Sequence, residues 1–569
     1  MKDTIRESAF GQLVKLATGD RYLQYIEEGS QFQLPYGFDT EVSSEDDTGA
    51  NAAHERGESV GLALDKMEMT RDVDLCYHDR VLTRDIQVAM QRTTSQAIQP
   101  KKTADDRTLV DWYTTDDPEN PYNWSSAKKF IYSFAVYFGS SVYSPASEGV
   151  MKEFGVGNAA ASLGLAIYVL AYGMGPMLFS PLSEIPAFGR NPIYVGTLII
   201  FVILTIPAAL VHSFPGLLIL RFWSGFFGSP CLATGAATFQ DMYPMIKVPY
   251  SLAFWAGSVT LGPALAPIIA GFSISAEGSE GWHWISWEML WLSAPICLIM
   301  LISLPETSSS NILLRRARRL RKVTGNGNLF AQSEIDQVGM NAGDIAYEAL
   351  IKPWQINALD PAVAFTTLYT ALVYGIFYSF FEAFPLVFPV LYGFNLGESS
   401  LPFPSVVVAL LICMPAYCGY YYYVVEPQVK KTGFGLSEQR LIPGLVSAFF
   451  VPIGLFVFAW TANGHVHWIV PTIGVGLVMV GAYTIMQSIF MYLPFTYPQY
   501  AASLFAANDF ARSAFAAGCI IFTGPMFRSL GVAKGCTLLA GLSCGCTVLL
   551  YFLFYYGASL RKRSRFAVK

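Results

Sequence analysis

Charge is the scarcest property of this sequence. Of its 569 residues, 14% are Asp, Glu, Lys or Arg, whereas 53% are hydrophobic and 15% are aromatic. Globular chains carry about 25% charged residues, so close to half of the expected charge is missing. The deficit is uneven, because residues 1–110 hold 20 acidic and 13 basic side chains, while residues 111–569 hold 22 and 24. The acidity therefore belongs to the N-terminal part, and the long hydrophobic remainder excludes a soluble globular protein.

Three further absences narrow the class of protein. No Gly-x-x-x-x-Gly-Lys-Ser/Thr loop is present, which disfavours an ATP-driven pump. The nine cysteines lack Cys-x-x-Cys spacing with histidine partners, so they predict neither a disulfide framework nor a zinc site. His283, His465 and His467 lie in predicted outside loops, with no carboxylate spacing that suggests a metal. We therefore predict no metal, no cofactor and no catalytic residues, which disfavours a membrane enzyme.

The N-terminal tail, residues 1–110, is rich in Ser, Thr, Asp, Glu and Gly and has little periodicity, so we expect it to be largely disordered. Its first 19 residues lack the apolar core of a secretory signal. Within them, a short amphipathic helix is permitted by the spacing of Ile5, Phe10, Leu13, Val14 and Leu16. We favour a solvated or weakly docked helix; a helix on the membrane surface is the alternative.

Twelve hydrophobic runs are long enough to cross a bilayer. A spanning helix needs about 20 mostly apolar residues, because lipid offers no partner to backbone polar groups. The predicted spans cover residues 130–150, 162–183, 192–212, 215–238, 249–272, 285–304, 360–385, 401–425, 441–460, 467–493, 502–523 and 534–556. These two groups of six predict an all-α membrane protein with two pseudo-symmetric six-helix bundles, a pattern typical of duplicated transporters. A channel with twelve spans would look the same at this level.

Basic residues predict how these bundles are oriented. We divide the chain into the tail 1–110, an N-terminal bundle 111–305, a basic linker 306–355, a C-terminal bundle 356–560 and a basic tail 561–569. The linker contains Arg315, Arg316, Arg318, Arg319, Arg321 and Lys322. The positive-inside rule places this linker, and with it both termini, in the cytoplasm. We assign the basic clusters to anionic lipid, and we predict no nucleic-acid partner.

Few charges lie within the predicted spans, and each is a functional candidate because a charge at mid-membrane costs at least about 2.5–3.5 kcal/mol. They are Arg221, Glu382, Asp509 and Arg512, with Glu184 and Asp241 at cytoplasmic ends. Asp509 and Arg512 are three residues apart and share a helical face, so a structural ion pair competes with a role in transport. Glu382 has no basic residue within a helical turn. It is a candidate proton carrier or contact for a cationic substrate, and exposure to a water-filled vestibule is the alternative.

Glycine patterns mark two places where helices approach closely. Gly173-Met174-Gly175-Pro176 precedes Glu184, and Gly189-Arg190 follows after a short turn. In the fifth predicted span, Gly257, Gly262, Pro263, Pro267 and Gly271 recur at roughly helical-turn spacing. Glycine with proline softens or kinks a helix and permits close packing. Each pattern alone is compatible with helix packing and no further role.

Together these residues resemble the major facilitator superfamily, specifically its fungal twelve-span drug:proton antiporter branch. Gly175 to Arg190 resembles the signature between helices two and three, and Arg221-x-x-x-Gly225 resembles the fourth-helix motif whose arginine is associated with proton coupling. Gly257 to Gly271 resembles the antiporter motif of helix five, with Ala266 and Ala270 departing from its consensus. More specific matches to the branch occur at residues 116–124, 229–235, 304–307, 380–385 and 506–513.

This resemblance implies a function and a set of sites. It implies a monomeric, proton-driven exporter of drugs, xenobiotics or other small hydrophobic or cationic molecules in the plasma membrane, working by alternating access. Proton coupling would involve Arg221, Glu382, Asp509 and Arg512, and a cytoplasmic gate would involve Gly175, Glu184, Gly189, Arg190 and Asp241. The predicted substrate cavity consists of Tyr143, Trp255, Phe377, Tyr378, Phe381, Glu382 and Phe505, although core or lipid packing is an alternative for each aromatic residue. A dedicated polyamine or secondary-metabolite exporter, or a nutrient symporter on the same fold, remains an alternative.

Overall fold

A computed structural model describes most of the hydrophobic part of the chain. It covers residues 2–19, 21–29, 32, 98, 100–102, 107–125, 129, 146–277, 281–336, 347, 351–395, 397–433, 435–497 and 501–563. The first predicted span, 130–150, and Tyr143 of the predicted cavity therefore lie wholly or largely outside the described residues, as does most of the predicted N-terminal tail. Everything below refers to the described part.

The N-terminal half begins with short elements and continues into long helices. The short elements are helices α1 (Lys2–Glu7) and α2 (Ala9–Thr18), a 3-10 turn (Ile26–Glu28), strand β1 (Thr108–Leu109), a 3-10 turn (Pro121–Asn123) and helix α3 (Ser147–Phe154). The long helices are span 2 (Asn158–Glu184), span 3 (Asn191–Ala209), span 4 (Phe214–Gly228 and Pro230–Met242), span 5 (Val248–Glu277) and span 6 (Gly281–Ser303). Span 4 is broken at Ser229, where Pro230 opens the second segment.

The linker and the C-terminal half follow. The linker contains the linker helix (Ser309–Thr324), strand β2 (Leu329–Phe330) and the short helices Gln332–Asp336 and Lys352–Leu359. Then come span 7 (Pro361–Tyr392), a 3-10 turn (Glu398–Ser400), span 8 (Pro404–Tyr420, Tyr421–Val425 and Glu426–Thr432), a 3-10 turn (Ser437–Leu441), span 9 (Ile442–Ser447 and Phe450–Thr461), span 10 (Ile469–Thr496), span 11 (Ala501–Leu530) and span 12 (Val532–Arg563).

Ten of these helices are long and apolar enough to cross a membrane, and the broken span 4 adds an eleventh counterpart to the twelve predicted spans. The prediction of an all-α, multi-pass membrane protein is thereby confirmed. The sheet is minimal, since β1 and β2 pair in parallel over two residues each. It joins the segment before the first predicted span to the linker.

Helix direction separates two faces of the bundle. Arg190, between spans 2 and 3, pairs with Asp241 at the end of span 4, and Glu306, after span 6, accepts a hydrogen bond from the Arg190 backbone. These ends lie together with the linker helix, and we name this side the linker face. Because each span is a long rod, the opposite helix ends form a second surface, the far face, which includes α3 and the starts of spans 2 and 6.

The two halves meet where span 2 packs on span 11 and where span 5 packs on span 8. Gly173 permits the first contact, because a Cβ atom there would collide with the Ser513 side chain of span 11. Gly257 serves the second, since its added Cβ would lie 3.3 Å from the sulfur of Met414. Small residues at such crossings let helix backbones approach each other closely. The resulting van der Waals contacts stabilise the pair of helices in lipid, where the hydrophobic effect does not drive helices together.

Part of the N-terminal tail is folded against the linker face. The predicted amphipathic helix is present as α1 and α2, which contact spans 3 and 6. Next to them, buried Arg316 of the linker helix lies 3.4 Å from Glu27, 2.7 Å from Asp117 and 3.0 Å from Glu119. Burial raises the pKa of Glu27, but Arg319 and Arg316 outweigh this and hold that pKa below its usual value. The ion cluster fastens the tail, the segment before the first predicted span and the linker helix together.

Candidate functional site

Glu382 of span 7 joins the two halves near the far face. Its Oε1 accepts a hydrogen bond of 2.8 Å from the hydroxyl of Ser162, at the far-face end of span 2. Its other oxygen lies against span 11, where a Cβ atom added to Gly524 would be 2.9 Å away. The side chain is half-buried. One carboxylate on span 7 therefore lies against two other helices, span 2 of the opposite half and span 11 of its own half.

Asp509 and Arg512 form an ion pair deep in span 11. Arg512 Nη2 lies 2.7 Å from Asp509 Oδ1, and both side chains are about 98% buried, with 3% and 2% of their surfaces exposed. The guanidinium carbon also lies 4.9 Å from the ring centre of Tyr374 and 5.6 Å from that of Phe490. Aromatic faces stabilise a desolvated cation. The pair is thus held by its own helix and by rings from spans 7 and 10.

The predicted cavity residues fall into two aromatic groups. In the far group, Phe381 packs on Phe377 and Tyr378, with ring centres 5.7 and 5.5 Å apart. The linker-side group consists of Trp255, Phe490 and Phe505, in which Phe490 is 5.7 Å from Trp255 and 5.5 Å from Phe505. Arg512 lies between them, because it contacts Phe490 of one group and Tyr374, which packs 4.9 Å from Tyr378 of the other.

The predicted gate residues meet at the linker face. Arg190 donates to Asp241 from Nε and Nη2, and its Nη1 donates to Ser183 over 3.2 Å. Burial lowers the pKa of Arg190, but Asp241 outweighs this and raises it, so the guanidinium stays charged. Glu184 is exposed and lies within electrostatic range of Arg190. The pairing partner of Arg190 is therefore Asp241, from span 4.

Glu306 organises this corner and was not singled out by the sequence analysis. Its carboxylate accepts backbone N–H bonds from Arg190 and Asn191 at 2.9 and 3.2 Å, and from Thr307 and Ser308 at 3.0 and 2.9 Å. A negative charge at the start of span 3 is favourable because the N-terminal end of a helix is positive. Gly189, at φ 76°, permits the contact, since a Cβ atom there would collide with Glu306 Oε2. The sequence signal that could have identified this residue is the single acidic side chain within Leu304–Thr307.

Arg221 and the glycines around it lie where spans 2 and 4 pack. Arg221 is buried, and one turn further a Cβ atom at Gly225 would collide with the Tyr168 carbonyl of span 2. The same packing requires a glycine at position 175 of span 2, because a Cβ atom added to Gly175 would lie 2.5 Å from the Phe226 carbonyl of span 4. These glycines bring Arg221 close to the inner surface of span 2.

The helix-five motif forms one continuous helix. Pro263 and Pro267 both lie inside span 5, so the motif does not end the helix. The Pro267 carbonyl accepts a 2.9 Å hydrogen bond from Ser400 of the C-terminal half. Gly271 is buried and Gly262 is half-buried. The motif therefore lies on the interface between the halves.

A further group of polar contacts joins the two halves at the linker face, and the sequence did not predict it. Glu426 at the end of span 8 lies 2.9 Å from Lys247 Nζ and accepts a 2.9 Å hydrogen bond from the Tyr250 hydroxyl. Nearby, Tyr483 and Gln487 of span 10 donate to backbone carbonyls of span 5 at 2.7 and 3.1 Å. Lys247 and Glu426 are far apart in the chain, and no local pattern relates them. Polar contacts between the halves thus occur at both faces.

Comparison with known proteins agrees with this architecture. The profile described as Major Facilitator Superfamily matches residues 130–522. The chain therefore belongs to the major facilitator superfamily of membrane transporters. It is 46% identical over 476 residues to the MFS-type transporter pyvG of Aspergillus violaceofuscus, a match that covers 82% of this chain and 87% of the relative.

Its relatives include fungal drug-resistance transporters. Fluconazole resistance protein 1 of Saccharomyces cerevisiae is 35% identical over 469 residues, which cover 80% of this chain and 84% of that protein. Among solved structures, the proton:xylose symporter XylE bound to 6-bromo-6-deoxy-D-glucose superposes with a TM-score of 0.54 at 14% identity, covering 76% of this chain and 97% of that one. The latter likeness concerns the fold alone.

Proposed function

We propose that this protein is a proton-coupled antiporter that exports drugs or other small amphipathic molecules across the plasma membrane by alternating access. The linker face is cytoplasmic, in agreement with its basic residues. The similarity to a fluconazole resistance protein supports drugs as the substrate class. The observation that carries the proposal is the position of Glu382, a titratable group that joins the two halves near the far face.

The proposed coupling follows from hydrogen-bond chemistry. An ionised Glu382 accepts a strong hydrogen bond from the Ser162 hydroxyl, and this bond favours a closed far face. A proton arriving from the far side neutralises the carboxylate and weakens that bond. A proton shifts the equilibrium between two states by its differential affinity for them. Because alternating access lets the two states exchange the proton with opposite sides of the membrane, a proton gradient can then drive the cycle in one direction.

The substrate would move along the aromatic groups between the faces. The far group and the linker-side group offer flat apolar surfaces, and the rings near Arg512 supply stacking partners. The Asp509–Arg512 pair separates these groups and would change its contacts as span 11 moves. Arg221 lies where spans 2 and 4 pack tightly, and its positive charge would tune the proton affinity of the carboxylates that take part in coupling.

The test compares Glu382→Gln with Ser162→Ala in cells loaded with a fluorescent lipophilic cation. Glu382→Gln keeps the shape and removes the titratable group, so efflux should fall at least about tenfold and lose its dependence on external pH, since general acid–base groups typically contribute factors of that order or more. Ser162→Ala keeps the carboxylate, so efflux should weaken yet remain dependent on pH.

Two controls decide whether export and proton coupling are correct. With an uncharged dye, whose distribution does not follow the membrane potential, adding a proton uncoupler should raise accumulation in cells with the parent protein and leave cells with an inactive variant unchanged. A fall in accumulation on uncoupling would instead indicate a symporter that imports its substrate. Efflux by Glu382→Gln with the parent's pH profile would remove Glu382 from the coupling mechanism.

A further inference from the structure

Three side chains with metal-binding groups converge on the far face of the N-terminal half. Glu153 ends α3, His212 lies between spans 3 and 4, and His283 lies at the start of span 6. Their ligand atoms all lie within 4.8 Å of one another. His283 Nε2 is 3.1 Å from Glu153 Oε2, and His212 Nδ1 is 3.7 Å from Glu153 Oε1. No single stretch of sequence contains this cluster.

We propose that Glu153, His212 and His283 bind a divalent transition metal ion of the zinc class. Two imidazoles and one carboxylate form a ligand set of zinc sites that keep an open position. Bonds of about 2.0–2.1 Å in tetrahedral geometry place neighbouring ligand atoms roughly 3.3 Å apart. The separations of 3.1 Å from His283 to Oε2 and 3.7 Å from His212 to Oε1 are close to that value, and a small rotation of the exposed His212 ring would bring all three ligands onto one ion.

The hydrogen bonds around His283 support a cation at this position. Its Nδ1 lies 3.0 Å from the Ala209 carbonyl, which can only accept, so Nδ1 carries the proton. In the neutral ring, Nε2 then presents a lone pair to the Glu153 carboxylate, another acceptor, at 3.1 Å. Two facing acceptors require a cation between them, either a second proton on the ring or a metal ion. A backbone carbonyl that fixes the tautomer is the usual partner of a metal-binding histidine.

The carboxylate is oriented as well. Trp282 Nε1 donates a 2.6 Å hydrogen bond to Glu153 Oε2, and the Trp282 ring lies against His283 with centres 3.7 Å apart. Oε1 is directed to His212. Glu153 and His283, which contact Trp282, are therefore held in place. The third ligand, His212, can rotate to complete the site.

His212 also provides access for the ion. Its side chain is 82% exposed, compared with 20% for His283. A metal ion can reach the site from the solution at the far face, and a small rotation of the exposed imidazole can bring its nitrogen into bonding distance. The three ligands all belong to the N-terminal half. Binding should therefore brace α3 against spans 3, 4 and 6 and leave the interface between the halves unobstructed.

Zinc titration of the purified full-length protein tests the site. We expect saturable binding of about one Zn²⁺ per chain by calorimetry, with a rise in the thermal unfolding midpoint, because a ligand that binds only the folded state stabilises it. His212→Ala and Glu153→Gln should each weaken the affinity at least about tenfold, a factor that even the loss of an outer partner can cause. Both variants should fold, since His212 is exposed and glutamine can still accept from Trp282.

The matched control is His465→Ala with His467→Ala. These two histidines are exposed between spans 9 and 10 and lie outside the cluster. We expect this double variant to bind Zn²⁺ as the parent does. The proposal is overturned by the absence of saturable binding, by an affinity that neither His212→Ala nor Glu153→Gln changes, or by loss of binding in the control.

Discussion

The two faces of the bundle hold the halves together with different chemistry. At the linker face, the halves are joined by a charged pair, Lys247 with Glu426, and by neighbouring hydroxyl and amide donors. At the far face, the contacts between the halves include hydrogen bonds of Glu382 with Ser162 and Asn158 and a serine–carbonyl bond at Ser400. The difference indicates that salt and charge mutations should act mainly on the linker face, whereas protonation should act mainly on the far face.

The largest expected effect is at the ion cluster of the linker face. Arg316→Ala leaves buried Asp117 without its cation and leaves Glu27 and Glu119 with Arg319 alone, which should destabilise the protein by about 3–5 kcal/mol. Thermal unfolding of the purified protein measures this loss. Arg318→Ala is the matched control, because Arg318 lies two residues away and is exposed. Equal effects of the two variants would contradict the role of the cluster.

The same cluster should respond to pH in one direction. The folded-state pKa of Glu27 is below its usual value, so its contribution to stability is present above the unfolded pKa of about 4.3 and is lost as the pH falls through the folded value. The contacts of the tail with the linker helix should therefore persist from pH 5.5 to about pH 8. The rate of cleavage of the tail by a protease, divided at each pH by the rate for an unfolded peptide substrate, should stay constant between those pH values; a rise of this ratio at pH 6 would contradict the prediction.

The ion pair between the halves should have a moderate effect. Glu426→Gln removes an ion pair with Lys430 on the same helix and the pair with Lys247 that joins the halves. Because the Lys247 side chain is 44% exposed, screening limits the loss of the contact between the halves to about 0.5–1 kcal/mol. That change shifts the equilibrium two- to fivefold toward an open linker face, by about 1.4 kcal/mol per factor of ten. A thiol reagent should label Leu252→Cys faster in the Glu426→Gln background, and high salt should reproduce the effect in the parent background. Lys431→Ala, near Glu426 but exposed, is the control.

At the far face, a single hydrogen bond should have an effect of similar size to that of the ion pair, but one that salt does not change. Ser400→Ala removes one neutral hydrogen bond to the Pro267 carbonyl, worth about 0.5–1.5 kcal/mol. Thermal unfolding should show a small decrease that does not depend on salt. Ser399→Ala, in the same turn and half-buried, removes a hydrogen bond to the local Asn395 carbonyl that does not join the halves, and it should change stability less. A salt-dependent loss in Ser400→Ala would remove the contrast between the faces.

Sequence reasoning succeeded where the cause is local. The length and hydropathy of each span are properties of neighbouring residues, so the positions of spans 2 to 12 could be predicted to within several residues at most ends. The spacing of Asp509 and Arg512 likewise implied the pair that the structure forms. The amphipathic spacing near the N-terminus also corresponds to a helix, although its contact with spans 3 and 6 could not be foreseen.

The missed features depend on residues brought together from distant positions. Lys247 and Glu426 meet only because span 5 packs on span 8. Glu153, His212 and His283 come from three separate connections, so their spacing along the chain carries no signal. The predicted cavity residues were grouped by type, but the packing of spans 5, 7, 10 and 11 divides them into two groups.

The Asp509–Arg512 pair has an electrical consequence. A single elementary charge that crosses the membrane field gains or loses about 2.3 kcal/mol for every 100 mV. The paired carboxylate and guanidinium carry no net charge, and they lie 2.7 Å apart on the same helix. Span 11 can therefore shift within the membrane while this pair remains almost insensitive to voltage. Any current that accompanies the transport cycle then has its origin in the charges carried by other groups, by the substrate or by the protons exchanged for it.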